Sequence, residues 1–153
     1  MKWFPRCLYL LNRLRYQITR PVTIGVRLLL IHDDKVLLVK HTYQRHWYLP
    51  GGGVKRSETL EDAARREARE EIGAILGPLR LFGVYTNFYE AKSDHVVVFV
   101  SDPITLTGQI DDHEIEHFAW FAPEALPEGT SPGSRRRIVE YTQSPTAPLV
   151  GLW

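Results

Sequence analysis

The sequence predicts an α/β protein in which a mixed β-sheet lies between helices. Short runs rich in β-branched and aliphatic residues, which are typical of buried strands, recur along the chain. A longer run with apolar residues at three- and four-residue steps, typical of a helix, separates the first strands from the later ones. The order of strands, helix, strands and helix favours a sheet that carries helices on both sides.

The composition indicates one ordinary globular domain. The chain has 153 residues, 44% of them hydrophobic and 24% charged, which suits a single core. Its net charge of +1 excludes a strong overall field for nucleic acid or membranes. Cys7 is the only cysteine, so an internal disulfide is excluded and a reducing, cytoplasmic location is favoured. No apolar run approaches the ~20 residues of a membrane-spanning helix, so no transmembrane segment is expected.

Residues 1–20 predict an amphipathic helix packed on a domain of residues 21–153. The helix ends before Pro21, because the residue before a proline avoids helical angles. Its basic residues could touch a membrane surface or phosphates, but a docked helix with a solvated cationic face is the favoured interpretation. The apolar positions that define its packed face are Phe4, Cys7, Leu8, Leu11, Leu14 and Ile18.

The remaining elements follow in order from local patterns. Residues 22–31 and 35–40 form a predicted hairpin around a turn at Asp33 and Asp34. A polar loop and the run Gly51 to Gly53 lead into the long helix, which ends at Gly73. The rest predicts strands at 79–90, 95–101 and 116–121, an acidic connection at 102–114, a short helix or turn at 123–126, a helix within 134–142 and a proline-spaced tail.

The long helix carries an unusual group of acids. Glu67, Glu70 and Glu71 stand at i, i+3 and i+4, so their carboxylates converge on one neighbourhood. Like charges in this arrangement repel, and the negative end of the helix dipole disfavours them further. A hard divalent cation would reverse the sign of the interaction, because carboxylate oxygens suit Mg²⁺, with Mn²⁺ as the alternative.

The glycine run before the helix suggests the other wall of the same site. Glycines allow positive φ angles and close approach of the backbone to a ligand. Their amides can face a phosphate and their carbonyls a cation. The run is not a phosphate-binding P-loop, because no Gly-Lys-Ser/Thr follows it.

Together these residues resemble the Nudix box, G-x5-E-x7-R-E-U-x-E-E-x-G-U, in which U is a bulky aliphatic residue. All seven fixed positions of the box match this sequence, whereas Ala68 and Ala74 are smaller than the usual U residues and affect packing only. The fixed positions are Gly52, Glu58, Arg66, Glu67, Glu70, Glu71 and Gly73.

The resemblance implies a Nudix-type α/β/α sandwich that hydrolyses, with Mg²⁺, a nucleoside diphosphate linked to another moiety. It implies that Glu67, Glu70 and Glu71 ligate the metal together with a backbone carbonyl of Gly51 or Gly52. Glu58 and Arg66 would form a supporting pair. Arg66 would also orient Glu67.

The general base is left open between Glu70 and an acid outside the box. In the family that outside acid lies in a loop before a late strand. The candidates are Asp111, Asp112, Glu114 and Glu116, with Glu114 favoured and Glu116 next. Simple solvation of this acidic loop explains the pattern equally well.

The sequence evidence for residues that contact the substrate is weaker than that for the metal ligands. Tyr43 and Arg45 lie in the loop before the glycines, Arg27 lies on a strand that could face the same cleft, and Gly52 and Gly53 could approach phosphate. The proline typical of the ADP-ribose-cleaving branch is absent from residues 87–90, whereas Tyr89 fits the dinucleoside-polyphosphate branch. The expected partner is a small nucleotide; capped RNA is not favoured, and a homodimer is left open.

Two rival functions remain at this point. The chain could be a catalytically weak nucleotide-sensing or interaction module that keeps the Nudix fold, although its intact box favours an enzyme. It could also be a membrane- or RNA-associated enzyme that uses the basic segment of residues 1–20.

Overall fold

The computed structural model describes residue 11 and residues 21–88, 92–102, 104–107, 114–143 and 149–153. The predicted helix of residues 1–20 therefore lies outside the described residues, apart from Leu11, which is exposed and helical. Asp111, Asp112 and Tyr89 also lie outside them. The division into residues 1–20 and 21–153 stays a prediction.

The described residues form strands and helices in the predicted alternating order. Two α-helices, α1 (Leu60–Ile72) and α2 (Pro132–Gln143), and a 3-10 turn at Pro123–Ala125 accompany the strands. The strands are β1 (Val22–His32), β2 (Lys35–His41), β3 (Trp47–Tyr48), β4 (Ala74–Leu76), β5 (Leu79–Asn87), β6 (Ser93–Ser101), β7 (Ile104–Leu106), β8 (Ile115–Phe121) and β9 (Leu149–Leu152).

The main sheet is mixed, as predicted. Its strands follow the order β3-β2-β1-β6-β5-β9, and β8 pairs antiparallel with the other side of β2. β1 and β6 run parallel from Val22 opposite Ser93 to Leu30 opposite Ser101. The predicted hairpin of β1 and β2 forms, but its strands pair only next to the turn before β1 continues against β6.

Hydrophobic cores on both faces of the sheet make the molecule a sandwich. On one face the small side chains of Ala63, Ala64 and Ala68 bring α1 close to the sheet, and all three are fully buried. On the other face Ile138 of α2 packs in a second core with Phe82. The α/β/α fold class is confirmed, with a sheet between helices.

Helix α1 is fixed at both ends by local chemistry. The side chain of Thr59 accepts a hydrogen bond from the amide of Asp62 at 3.1 Å, which caps the first turn. Gly73 ends the helix in the left-handed conformation, with φ 61°, and its amide donates back into the last turn. These caps set the start and end of the segment that carries the box acids.

Four strands were not predicted, and the first of them is the two-residue β3, which pairs with β2. β4 and β7 form a separate two-stranded sheet next to the end of α1. β9 lies in the tail and pairs parallel with β5, opposite residues 83–86. Arg137 stabilises β9, because its buried guanidinium stacks on Tyr85 at 3.7 Å and donates to the carbonyl of Leu152 at 2.8 Å. This contact joins segments far apart in the sequence, so no local pattern predicts it.

Candidate active site

Four carboxylates line one small pocket at the edge of the sandwich. Glu67, Glu70 and Glu71 project from α1, and Glu114, which directly precedes β8, lines the same pocket. The pocket has a volume of about 200 Å³. The carbonyl of Glu114 accepts a hydrogen bond from the amide of Thr42 at 3.0 Å, so β2 positions this acid. The fold therefore gathers acids that the sequence separates by more than forty residues.

Arg66 connects the acids to one another and to the glycine loop. Its Nε and Nη2 donate to both oxygens of Glu58, at 2.7 and 3.0 Å. Its Nη1 donates to Glu67 at 2.6 Å and to Glu70 at 3.0 Å. Its Nη2 also donates to the carbonyl of Gly53 at 3.0 Å. These bonds connect the glycine loop to the helix through Arg66.

The same bonds perturb the ionisation of both partners. Hydrogen bonds from Arg66, and then the backbone bond from Lys55, lower the pKa of Glu58 to about 2. The bonds to Glu58 raise the pKa of Arg66 further above its ordinary value. Both groups are therefore charged at neutral pH, and the supporting pair is a persistent ion pair.

Glu71 lies deepest of the acids. It is 5% exposed, and one of its oxygens accepts a hydrogen bond from the amide of Gly51 at 2.7 Å. Burial raises its pKa to about 8, although the cation of Arg27 and the Gly51 amide act in the opposite direction. The Nε2 of His41 lies 3.6 Å from its other oxygen. Since burial lowers the pKa of His41 to about 4, this imidazole is neutral and does not form an ion pair at neutral pH.

The glycine loop is shaped by contacts that exclude side chains. Gly51 has a φ of 131°, and a side chain there would overlap the carbonyl of Val26. A Cβ atom on Gly52 would lie 2.6 Å from Oε1 of Glu67. The carbonyl of Gly52 is used in the sheet, where it accepts from the amide of Val26 at 2.9 Å. Of the two carbonyls considered for a metal, that of Gly51 is therefore the better candidate.

The acids fit a divalent cation by donor type and by position. Hard oxygen donors from one helix line a common pocket, opposite another carboxylate. Within the described ranges, however, no three His, Cys, Asp or Glu side chains already form a closed set of metal ligands. The reason is visible in the contacts, because Glu67 and Glu70 turn towards Arg66 while Glu71 binds the Gly51 amide.

The residues predicted to contact the substrate lie in different parts of the structure. Tyr43 is largely buried near the acids, and burial, followed by the charges of Glu114 and Glu71, raises its pKa to about 12. Arg27, Gly52 and Gly53 line a second cavity on the other side of the glycine loop.

Two other predicted residues lie away from the described linings of these cavities. Arg45 is exposed in the loop next to Gly129. Glu116, the second choice for the outside acid, is exposed on β8 and lies 3.9 Å from the Nζ of Lys40. Of the described candidates for that role, Glu114 is the one that lines the acidic pocket.

Two residues near the acids were not predicted. His41 closes β2 and faces Glu71; β2 is buried along most of its length, so no alternation of its residues marked this side chain. Lys55 lies 3.7 Å from Oε1 of Glu70; its position directly after the glycines was visible, but its direction was not.

Comparison with known proteins agrees with this architecture. The family model described as NUDIX domain matches residues 20–141, most of the chain. The chain belongs to the Nudix family. Solved Nudix structures share its fold: a NUDIX hydrolase from Nitrosomonas europaea superposes with a TM-score of 0.72 at 23% identity, covering 83% of this chain and 93% of that one. A MutT NUDIX hydrolase from Burkholderia pseudomallei gives 0.70 at 24% identity, covering 77% and 96%.

Curated Nudix relatives are similar over part of their length. An uncharacterized Nudix hydrolase, YvcI, from Bacillus subtilis is 36% identical over 58% of this chain and 58% of its own. An ADP-ribose pyrophosphatase from Methanocaldococcus jannaschii is 33% identical over 68% and 66%. An NAD-capped RNA hydrolase, NudC, from Escherichia coli is 30% identical over 92% and 54%. The chain thus spans between about half and two thirds of these relatives. In the described part of this Nudix chain, no helix is long and apolar enough to cross a membrane.

Proposed function

We propose that this chain is a Mg²⁺-dependent hydrolase that cleaves the diphosphate linkage of a nucleoside diphosphate joined to another moiety. The observation that carries this proposal is the convergence of Glu67, Glu70, Glu71 and Glu114 on one pocket. Two similar proteins named for pyrophosphatase and NAD-capped RNA hydrolase activities support the same bond class. Mn²⁺ is the alternative cation.

Each residue has a proposed task. Glu67, Glu70, Glu71 and the Gly51 carbonyl hold the cation, which when bound neutralises the diphosphate and acidifies a water molecule. Arg66 keeps Glu67 oriented, as its 2.6 Å bond indicates.

Proton removal from the attacking water is assigned to one of two acids. Glu114 and Glu70 both line the pocket, and both are exposed enough to exchange protons with solvent. The contacts of the two side chains do not decide between them, so both stay candidates for the general base.

Substrate contacts follow from the same geometry. Tyr43, next to the acids, is proposed to contact the substrate, and Gly52 and Gly53 let phosphate approach the backbone. Arg27 is proposed to bind phosphate and Arg45 to contact a more distant part of the substrate. A small nucleotide is the proposed partner in preference to capped RNA, and the cytoplasm is the proposed location because Cys7 is the only cysteine.

A hydrolysis screen tests the proposal. Nucleoside triphosphates, nucleotide sugars, ADP-ribose, dinucleoside polyphosphates and 5′-capped RNA are incubated with protein and either Mg²⁺ or EDTA, and products are separated chromatographically. We expect Mg²⁺-dependent turnover of at least one compound and its collapse in Glu70→Gln and Glu71→Gln. Glu61→Gln, an exposed acid on the same helix, is the matched control.

The outcomes separate an enzyme from a binding module. Unchanged turnover in both acid variants would contradict the metal assignment. Nucleotide binding in a calorimeter without any product would favour the nucleotide-sensing or interaction module instead. The membrane- or RNA-associated alternative is tested by deleting residues 1–20. It requires the shortened chain to bind liposomes or RNA more weakly than the full chain does.

A further inference from the structure

A second cavity lies beside the glycine loop, and two of its lining residues, Arg27 and Lys55, interact with acids of the acidic pocket. It has a volume of about 620 Å³, large enough for a substantial part of a small ligand. Its described walls are the first half of β1 (residues 22–27), the loop of residues 52–56 and residues 92, 94 and 96 of the segment that enters β6. We call it the basic cavity.

The charged side chains of the basic cavity are mostly cationic. Arg27, Lys55, Arg56 and Lys92 line it, against the single carboxylate of Asp94 among the described lining residues. That carboxylate already has partners. One oxygen accepts from the hydroxyl of Thr23 at 2.6 Å, and the other lies 3.7 Å from the Nζ of Lys92. The cavity therefore keeps a positive surplus next to a strongly acidic pocket.

Arg27 connects the two spaces. It lines the basic cavity, and its charge also lowers the pKa of Glu71 in the acidic pocket. Its Nη1 is buried and has no hydrogen-bond partner in the described structure. A buried guanidinium donor without an acceptor is costly, so a ligand oxygen would satisfy it. Lys55 lies at the same junction, 3.7 Å from Glu70.

The lining of the basic cavity also indicates that a nucleobase would not fit it well. Its described residues include no aromatic side chain on which a nucleobase could stack, and its apolar residues are aliphatic. Clustered arginine and lysine with room for a ligand are typical of phosphate recognition. Resting on the hydrolase function proposed above, we propose that the basic cavity binds a phosphate group of the substrate outside the cleaved diphosphate. Preferred substrates therefore carry at least one further phosphate.

Matched substrate pairs test this assignment. ADP-ribose is compared with its 2′-phosphorylated form, and NADH with NADPH, since each pair differs by one phosphate. We expect kcat/KM to be roughly tenfold higher for the phosphorylated member. Arg56→Gln and Lys92→Gln should bring the ratio towards one, while turnover of the unphosphorylated member is retained. Arg135→Gln, an exposed cation on α2, is the control and should keep the wild-type ratio.

A binding experiment keeps the two proposals separable. Inorganic tripolyphosphate is titrated by calorimetry into each protein in EDTA, without Mg²⁺. If Lys92→Gln binds tripolyphosphate more weakly than Arg135→Gln does, the basic cavity is supported as a phosphate site. This holds even if the protein hydrolyses no substrate, because a failure of hydrolysis would reject only the proposed hydrolase function. Equal kcat/KM for both members of each pair, or tripolyphosphate binding that neither cavity variant changes, overturns the assignment and leaves the hydrolase intact.

Discussion

Replacement of Gly52 by alanine is the sharpest available perturbation of the proposed site. A Cβ atom at this position would lie 2.6 Å from Oε1 and 2.9 Å from Oε2 of Glu67. Ordinary contacts between such atoms begin near ~3.5 Å, so the carboxylate must retreat by roughly 1 Å. Glu67 is the flexible end of a side chain, so it can move without disturbing the core.

A displacement of this size is large for catalysis and small for folding. Misplacement of a catalytic group by about 1 Å lowers rates by about 10²-fold, or about 2.7 kcal/mol in activation free energy. The free energy of unfolding should change by less than about 1 kcal/mol, because no core contact is lost. Gly52→Ala is therefore expected to separate activity from stability.

The neighbouring glycine provides a matched control. A Cβ atom on Gly53 would meet no atom within 4 Å, so Gly53→Ala should leave Glu67 in place and reports only the effect of a side chain on the loop that approaches phosphate. Initial rates with Mg²⁺ on a substrate that the wild type hydrolyses, and urea unfolding of all three proteins, give the comparison. Equal rates for Gly52→Ala and wild type would refute the assigned position of Glu67. A similar loss in both variants would show that the loop responds to any side chain.

Three further predictions concern the frame around the site. Thr59→Ala removes the cap of α1 and should lower the free energy of unfolding by about 1 kcal/mol in urea, whereas Thr59→Ser should restore most of it. Arg137→Met removes buried hydrogen bonds to the β9 backbone and to Glu140. The free energy of unfolding, measured in urea, should therefore fall by about 2–3 kcal/mol. An unaltered unfolding midpoint would mean that β9 does not depend on this contact. Because the pKa of Glu58 falls from 4.5 to about 2 on folding, its stabilising effect is complete above about pH 4.5 and is lost as the pH drops towards 2. Thermal unfolding across that range should depend less on pH in Glu58→Gln, and parallel wild-type and variant curves would contradict the pairing with Arg66.

The fold class and the position of the acids could be predicted because both depend on local repetition. Helical spacing places Glu67, Glu70 and Glu71 together, and the alanines at three- and four-residue steps mark the face that packs on the sheet. Strands β1 and β6 were predicted from runs of aliphatic residues alone. These patterns can be recognised from the residues of a single helix or strand.

What was missed depends on contacts between distant segments. Residues 104–106 were assigned to the acidic connection of residues 102–114, yet they pair with β4 next to the end of α1. β9 contains a glycine and follows prolines, and its place beside β5 depends on Arg137. The basic cavity is lined by both Arg27 and Lys92, which are brought to one cavity by the pairing of β1 with β6. Such pairings are set by the topology of the fold, which cannot be read directly from the composition or the spacing of residues.

Binding of a divalent cation by Glu67, Glu70 and Glu71 is tested most directly by electron paramagnetic resonance of Mn²⁺. Free Mn²⁺ is titrated against wild type, Glu71→Gln and Glu61→Gln. Glutamine at position 71 can still accept the Gly51 amide bond but cannot provide a carboxylate ligand to a cation. We predict stoichiometric binding by wild type and Glu61→Gln, weakened at least about tenfold in Glu71→Gln. Equal binding by wild type and Glu71→Gln, or no stoichiometric binding by wild type, would contradict the claim.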